Sequence, residues 1–251
     1  MPYKRGRPLI DLFPLFRIAS AWTFLLIIPV SMLVNFIQHR TRYKYRYRIY
    51  GIKKAVTVSN HTTFFDPVKI AFLTLPRLIF QTLLGATVEF PVLGTFIRLL
   101  GGVPLHGGKK GYDKLLEISE KAFKYRRYIH FYPEGECFLY NQEIKKFHTG
   151  AFRLSAELNI PVIPLVTVFS EGIFKPWSFF GRTLPNEKLV VMEPVYPVQY
   201  IKRDSNGDIT LESIREFAEG VRQKMQREII RRKGSAVFYR GQLQRIKGLN
   251  D

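Results

Sequence analysis

The chain has 251 residues, enough for one α/β domain with a full core plus an appendage. Its hydrophobic content of 46% and aromatic content of 14% exclude a disordered chain, and its single cysteine, Cys137, excludes an internal disulfide framework or a cysteine-rich metal site. The formal charge of +19, from 39 Lys+Arg against 20 Asp+Glu, calls for an anionic partner.

The chain begins with basic residues, Lys4, Arg5 and Arg7. From Ile18 to Phe36 there follow nineteen residues without a charge, a length that just spans a bilayer. Positive residues flank this stretch on both sides, and Pro29 lies within it. A single span prefers its basic residues on one side. The pattern therefore predicts a broken helix that dips into one leaflet, or a helical hairpin at the membrane interface, with a buried soluble helix as the alternative. Arg42 to Tyr50 alternates basic and apolar residues and predicts an edge strand with one basic face near lipid headgroups.

Val56-Thr57-Val58 is a β-branched run that predicts a buried strand. It ends at Ser59-Asn60-His61. Asp66-Pro67 marks a helix start, Asp66 as cap and Pro67 at the first helical position, with the helix ending before Pro76. His61 is thus placed at the carboxyl end of a strand and Asp66 at the mouth of the next helix, the edge where open α/β sheets bind ligands. An imidazole there takes a proton from a hydroxyl near neutral pH, and a carboxylate beside it fixes its tautomer. Alone, the pair is a weak signal, because a helix cap explains Asp66 equally well.

The remaining elements follow in order. A strand is expected over residues 77–84, a helix over 91–100 carrying Gly94 and Arg98, and a short strand over 103–105. Residues 107–111 read as a flexible basic loop. A helix is expected over 112–125, a strand over 128–132, a helix over 151–158, strands over 161–169 and 189–192, and a long helix over 208–233 stopped by Gly234. Alternating strands and helices predict a mostly parallel sheet flanked by helices. The expected division is a membrane-associated helical segment over 1–41, an α/β domain over 42–234, and a basic, loosely held tail over 235–251. His130 to Cys137 runs from a strand into Pro133-Glu134-Gly135, a tight turn whose amides can face an anion. Lys145, Lys146, His148 and Gly150 open the next helix and suit a phosphate. No His, Asp or Glu cluster has metal-ligand spacing, so no metal is assigned.

The order Asn60-His61-x4-Asp66, then Gly94-x-x-x-Arg98, then Phe131-x-Pro133-Glu134-Gly135, then Pro161-x-x-Pro164 resembles the glycerolipid acyltransferase family, in particular 1-acylglycerol-3-phosphate acyltransferases. The resemblance covers about residues 55 to 168, and the apolar amino-terminal segment also looks like the family. It implies that His61 is the general base for a lysophospholipid hydroxyl and that Asp66 orients it. It implies a substrate-binding role for Asn60, Arg98, Glu134, Gly135, Lys145, Lys146 and His148. The acyl donor would be acyl-CoA or acyl carrier protein, with no cofactor, an anionic membrane surface as partner, no nucleic acid, and a place at the cytoplasmic face of a membrane. Three departures touch the acceptor pocket. Gly107 stands near where the family carries an Arg after its short apolar strand, Glu136-Cys137 replaces Thr-Arg, and His148 replaces a Lys. Bidentate Arg contacts to a phosphate cannot be copied by Gly or Cys. A different lysolipid acceptor, a thioesterase, and a non-catalytic basic membrane-surface protein are the alternative readings.

Overall fold

The computed structural model describes residues 9–89, 92–105, 108–171 and 184–244. The expected basic start (Lys4, Arg5, Arg7), Pro91, Gly107 and the end of the tail, 245–251, lie outside them.

Among the described residues seven strands form one sheet: β1 Arg42–Lys44, β2 Ala55–Ser59, β3 Ile79–Leu84, β4 Gly102–Leu105, β5 Tyr128–Phe131, β6 Val162–Ser170 and β7 Asn186–Val191. Their order is β1-β7-β6-β2-β5-β3-β4. Only β6 and β7 run antiparallel; every other pair is parallel. The α/β class and the mostly parallel sheet expected from alternating elements are therefore present. Alternation along the strands divides the core in two. On β2 and β5, Val56, Val58, Ile129 and Phe131 join an apolar cluster with α7 (Gly150–Glu157) and α8 (Leu211–Arg231). Ala55 and Tyr128 instead join one with α1 (Pro14–His39) and α3 (Asp66–Thr74).

Helix α1 is continuous through Pro29, so the expected break is absent. The cost of an interior proline is offset by packing: Phe24, Ile28 and Met32, spaced by one turn, are buried against the domain. The opposite side exposes Leu15, Ile18, Trp22, Leu25, Leu33 and Phe36. The helix is apolar all round, with one face docked and one unsatisfied.

The strand expected over Arg42–Tyr50 stops at Lys44. Tyr45 turns the chain at φ 58°, and residues 47–50 form helix α2. Arg46 explains the departure. Its guanidinium donates to the carbonyls of Phe72, Leu73 and Leu75 at 2.9–3.0 Å, satisfying the carboxyl end of α3. A short helix α4, Gly85–Glu89, precedes α5, Leu93–Leu99. Residues 108–111, expected as loop, form the first turn of α6, Gly108–Ala122. Helix α8 ends with Lys233 in the left-handed region at φ 55°, one residue before the Gly234 expected to stop it.

The tail is not loosely held over its described part. Ser235 N–H donates to Phe169 O at 2.8 Å, Leu139 N–H to Gly241 O at 2.9 Å, Arg240 N–H to Leu139 O at 3.0 Å and Leu243 N–H to Cys137 O at 2.8 Å. The tail thus clasps the segment that follows the Pro-Glu-Gly turn.

Candidate active site

Strand β2 delivers Ser59, Asn60 and His61 to the carboxyl edge of the sheet, and a short turn leads into α3 at Asp66. The Asp66 carboxylate does not cap the amides that follow it. It turns back to accept from Thr62 N–H at 2.5 Å, Thr63 N–H at 2.8 Å and Thr63 Oγ1 at 2.8 Å. The same Oδ2 lies 2.9 Å from His61 Nδ1. An acceptor-only carboxylate at Nδ1 places the ring proton there and leaves the lone pair on Nε2. The His61 side chain keeps 21% of its exposure while Asp66 is sealed at 3%. The pair therefore has one open end.

Beneath Asp66 lies a buried ionic chain. Lys69, one turn on, is fully buried, with Nζ 2.6 Å from Asp66 Oδ1 and 2.9 Å from Thr63 Oγ1. The same ammonium pairs with Glu187 of β7, whose other oxygen accepts from Thr41 Oγ1 at 2.8 Å. Burial alone would raise the Asp66 pKa, but the Lys69 charge and the His61 hydrogen bond outweigh it and hold the carboxyl well below its usual range. Burial likewise pulls against the Lys69 ammonium, and Asp66 and Glu187 together keep its pKa raised. The Lys69 ammonium and the His61 hydrogen bond keep Asp66 ionised near neutral pH.

The Pro-Glu-Gly turn meets this arrangement from β5. Glu134 is a bracket: Oε1 accepts from His61 N–H at 3.0 Å and Oε2 from Lys145 N–H at 2.9 Å. Burial pushes its pKa up to about 7 against the pull of these amides. Gly135 sits at φ 74°, and a Cβ there would stand 3.0 Å from the His148 ring. His148 N–H donates to Pro133 O at 2.7 Å. The structure thus brings His61, Asp66, Glu134, Gly135, Lys145 and His148 together. The Lys145 ammonium lies 3.1 Å from Glu143, and Lys146 is exposed, within electrostatic reach of Glu219 on α8.

Of two further expected residues, Asn60 stands beside His61 with its amide engaged and Arg98 stands elsewhere. Asn60 uses its whole amide on one backbone unit, Nδ2 donating to Thr167 O at 3.1 Å and Oδ1 accepting from Thr167 N–H at 2.9 Å. It pins β2 to β6 and leaves no polar atom for a ligand. Arg98, near the end of α5, precedes β4 and so lies at the amino edge of the parallel strands, opposite His61. It is 5% exposed and stacks its guanidinium 5.6 Å from the centre of the Phe16 ring. Gly94, four residues earlier, is required by close packing, since a Cβ would fall 2.0 Å from Val88 O.

Sequence reasoning missed Lys69, Glu187, Tyr132 and His130. Tyr132 stacks on His61 with ring centres 4.1 Å apart at 25°. His130 is buried, with Thr57 Oγ1 2.9 Å from Nδ1 and Ser59 Oγ 3.1 Å from Nε2. Burial, then the His61 charge, lower its pKa to about 3. The unfolded chain binds a proton at His130 near its ordinary value of 6.5 while the fold does not, so its contribution is present above that pH and is lost as pH falls toward 3. Glu134 has the opposite sign between about 4.5 and 7, so the two partly cancel in the whole protein. The stability difference between the protein and a His130→Gln variant, from urea titrations at several pH values, isolates His130: it is expected to shrink as pH falls below 6.5.

A histidine–carboxylate pair at the carboxyl edge of a mostly parallel sheet, with no hydroxyl or thiol among the described residues bonded to the imidazole, is the layout of an enzyme that activates its substrate's own hydroxyl. The comparisons agree with that class. The Acyltransferase family model matches residues 38–168, so the chain belongs to this family. The 1-acyl-sn-glycerol-3-phosphate acyltransferase of Saccharomyces cerevisiae is 30% identical over 140 residues, 54% of this chain. That alignment covers only 42% of the yeast protein. The 1-acyl-sn-glycerophosphate (LPA) acyltransferase PlsC of Thermotoga maritima superposes with a TM-score of 0.56 at 17% identity, over 88% of this chain and 80% of that one, which shows a shared fold.

Proposed function

We propose that the protein moves a fatty acyl group from an acyl thioester, on coenzyme A or acyl carrier protein, to the free hydroxyl of a lysophospholipid, with 1-acylglycerol-3-phosphate as the first candidate, in phospholipid biosynthesis. The observation that carries this reading is the His61–Asp66 pair, locked at 2.9 Å with Nε2 as its open end. His61 Nε2 takes the hydroxyl proton as the oxygen attacks the thioester carbonyl. The tetrahedral intermediate collapses with cleavage of the C–S bond, and the imidazolium returns its proton to the departing thiolate. Asp66 stays ionised throughout and stabilises the imidazolium. Cys137, buried, with its thiol pKa pushed up by burial, takes no part as a nucleophile.

The exposed apolar face of α1 and the +19 charge support attachment to an anionic membrane surface at its cytoplasmic face. Helix α1 is long and apolar enough to cross a membrane, but its docked face favours lying along the interface. Phe64, 76% exposed within the His61–Asp66 turn, supports an apolar chain close to the reacting atoms.

An acceptor screen tests the reading. Purified protein in detergent with acyl-CoA is offered lysophosphatidic acid and then lysolipids with larger headgroups, following thiol release and lipid product. Turnover with lysophosphatidic acid is expected, with Lys145, Lys146 and His148 holding the phosphate. Turnover with another lysolipid alone would replace the acceptor, and silence with every acceptor and with both kinds of donor would overturn the proposal.

A further inference from the structure

The acyl-transfer reading leaves Arg126 unused. Its guanidinium, 8% exposed, donates to Ile79 O at 2.7 Å and to Ser20 Oγ at 2.5 Å, two neutral partners. It also lies over the rings of Phe80 at 4.3 Å and Phe24 at 5.1 Å, but among the described residues no carboxylate pairs with it, and the charge it feels is another cation, Arg17. A buried cation without an anion is costly, and burial together with Arg17 lowers its pKa to about 9.

Arg126 forms part of the wall of a cleft of about 390 Å³ at the amino ends of β3 and β4, the sheet edge opposite His61. Arg17 and Arg98 line the same cleft, and Asp11, also in its lining, stands 4.0 Å from Arg98. Arg17 lies over the Tyr125 ring at 4.0 Å. The rest of the lining is largely apolar, and Ile18, which borders it, also belongs to the exposed apolar face of α1. Arg17 and Arg126, neither paired with a carboxylate among the described residues, set the charge of the occupant. The apolar walls, continuous with the face of α1, set its other half.

We propose that this cleft is a second, non-catalytic site for an anionic membrane phospholipid, with the headgroup phosphate between Arg17 and Arg126 and the start of the acyl chain against Phe16, Ile18 and Ala21. The site stands independently of the reaction proposed for His61. A lipid held there fixes the base of α1 on the bilayer and supplies the charge that Arg126 lacks.

The test is calorimetric titration of the full chain, in non-ionic detergent, with dioctanoyl-phosphatidylglycerol, dioctanoyl-phosphatidylcholine and inorganic phosphate. Phosphatidylglycerol is expected to bind at least about tenfold tighter than either of the others. Arg17→Gln, a change at an exposed residue remote from His61, should weaken that binding about tenfold while acyl transfer is retained. Arg17→Glu should abolish it and raise the melting temperature, because the new carboxylate then pairs with Arg126. Equal affinity of the protein and Arg17→Glu for phosphatidylglycerol would place the lipid elsewhere and overturn the proposal. Equal affinity for phosphatidylglycerol and phosphatidylcholine, or for phosphatidylglycerol and inorganic phosphate, would overturn it as well.

Discussion

Replacing Lys69 by Met should destabilise the fold by about 3–5 kcal/mol, the cost of removing one partner from a buried ionic group. The methionine fits the space of the lysine stem, so the loss comes from charge and not from volume. Asp66 and Glu187, both buried, would face each other's charge across the gap, and one of them would protonate. Chemical denaturation measures the loss. The double variant Lys69→Met/Glu187→Gln should recover most of it, because Asp66 keeps its amides, Thr63 and His61. A Lys69→Met protein within about 1 kcal/mol of the original would mean that the ionic chain does not hold Asp66 in place.

His61→Ala should lower kcat/KM by about a thousandfold or more, within the range spanned by loss of a positioned general base. Stability should change far less, since the His61 side chain is partly exposed and its backbone N–H, which bonds Glu134, is retained. The contrast with Lys69 is the useful part: one variant loses rate with its fold intact, the other loses fold. Asp66→Asn should fall between them. An amide at that position accepts from Thr62 and Thr63 but cannot hold the imidazolium charge.

How much of this was legible in the sequence follows from how local each feature is. The strand–His61–Asp66–helix unit and the Pro-Glu-Gly turn are each encoded within a dozen residues, and the structure places both where the pattern put them. The chain of charges behind Asp66 was invisible because Glu187 lies 118 residues from Lys69, on β7, which with β1 runs opposite to the other five strands. Nothing in the local pattern sets a lysine three positions after Asp66 apart from an exposed helical residue. Alternation over Arg42–Tyr50 misled because Arg46 bonds carbonyls of α3, a tertiary demand that no local period reports. Pro29 misled in the same way: docking of α1 outweighs the intrinsic tendency to break. Arg98 was placed at the site by the family resemblance, whereas the direction of α5 carries it to the opposite sheet edge. Asn60, adjacent to His61, read as a binding residue and turned out to be the pin between β2 and β6.

The central claim is that a lipid hydroxyl, giving its proton to His61, attacks the thioester directly, with no acyl-enzyme between. Its most direct test is the stoichiometry of thioester cleavage by the purified protein, with and without the acceptor found by the screen. Direct transfer predicts that thiol release requires the acceptor, equals lipid product one for one, and leaves no acyl group on the protein by intact-mass measurement. Free fatty acid released without acceptor, or an acyl adduct on Cys137, would contradict it and turn the same His61–Asp66 pair into the base of a thioesterase or of a covalent mechanism.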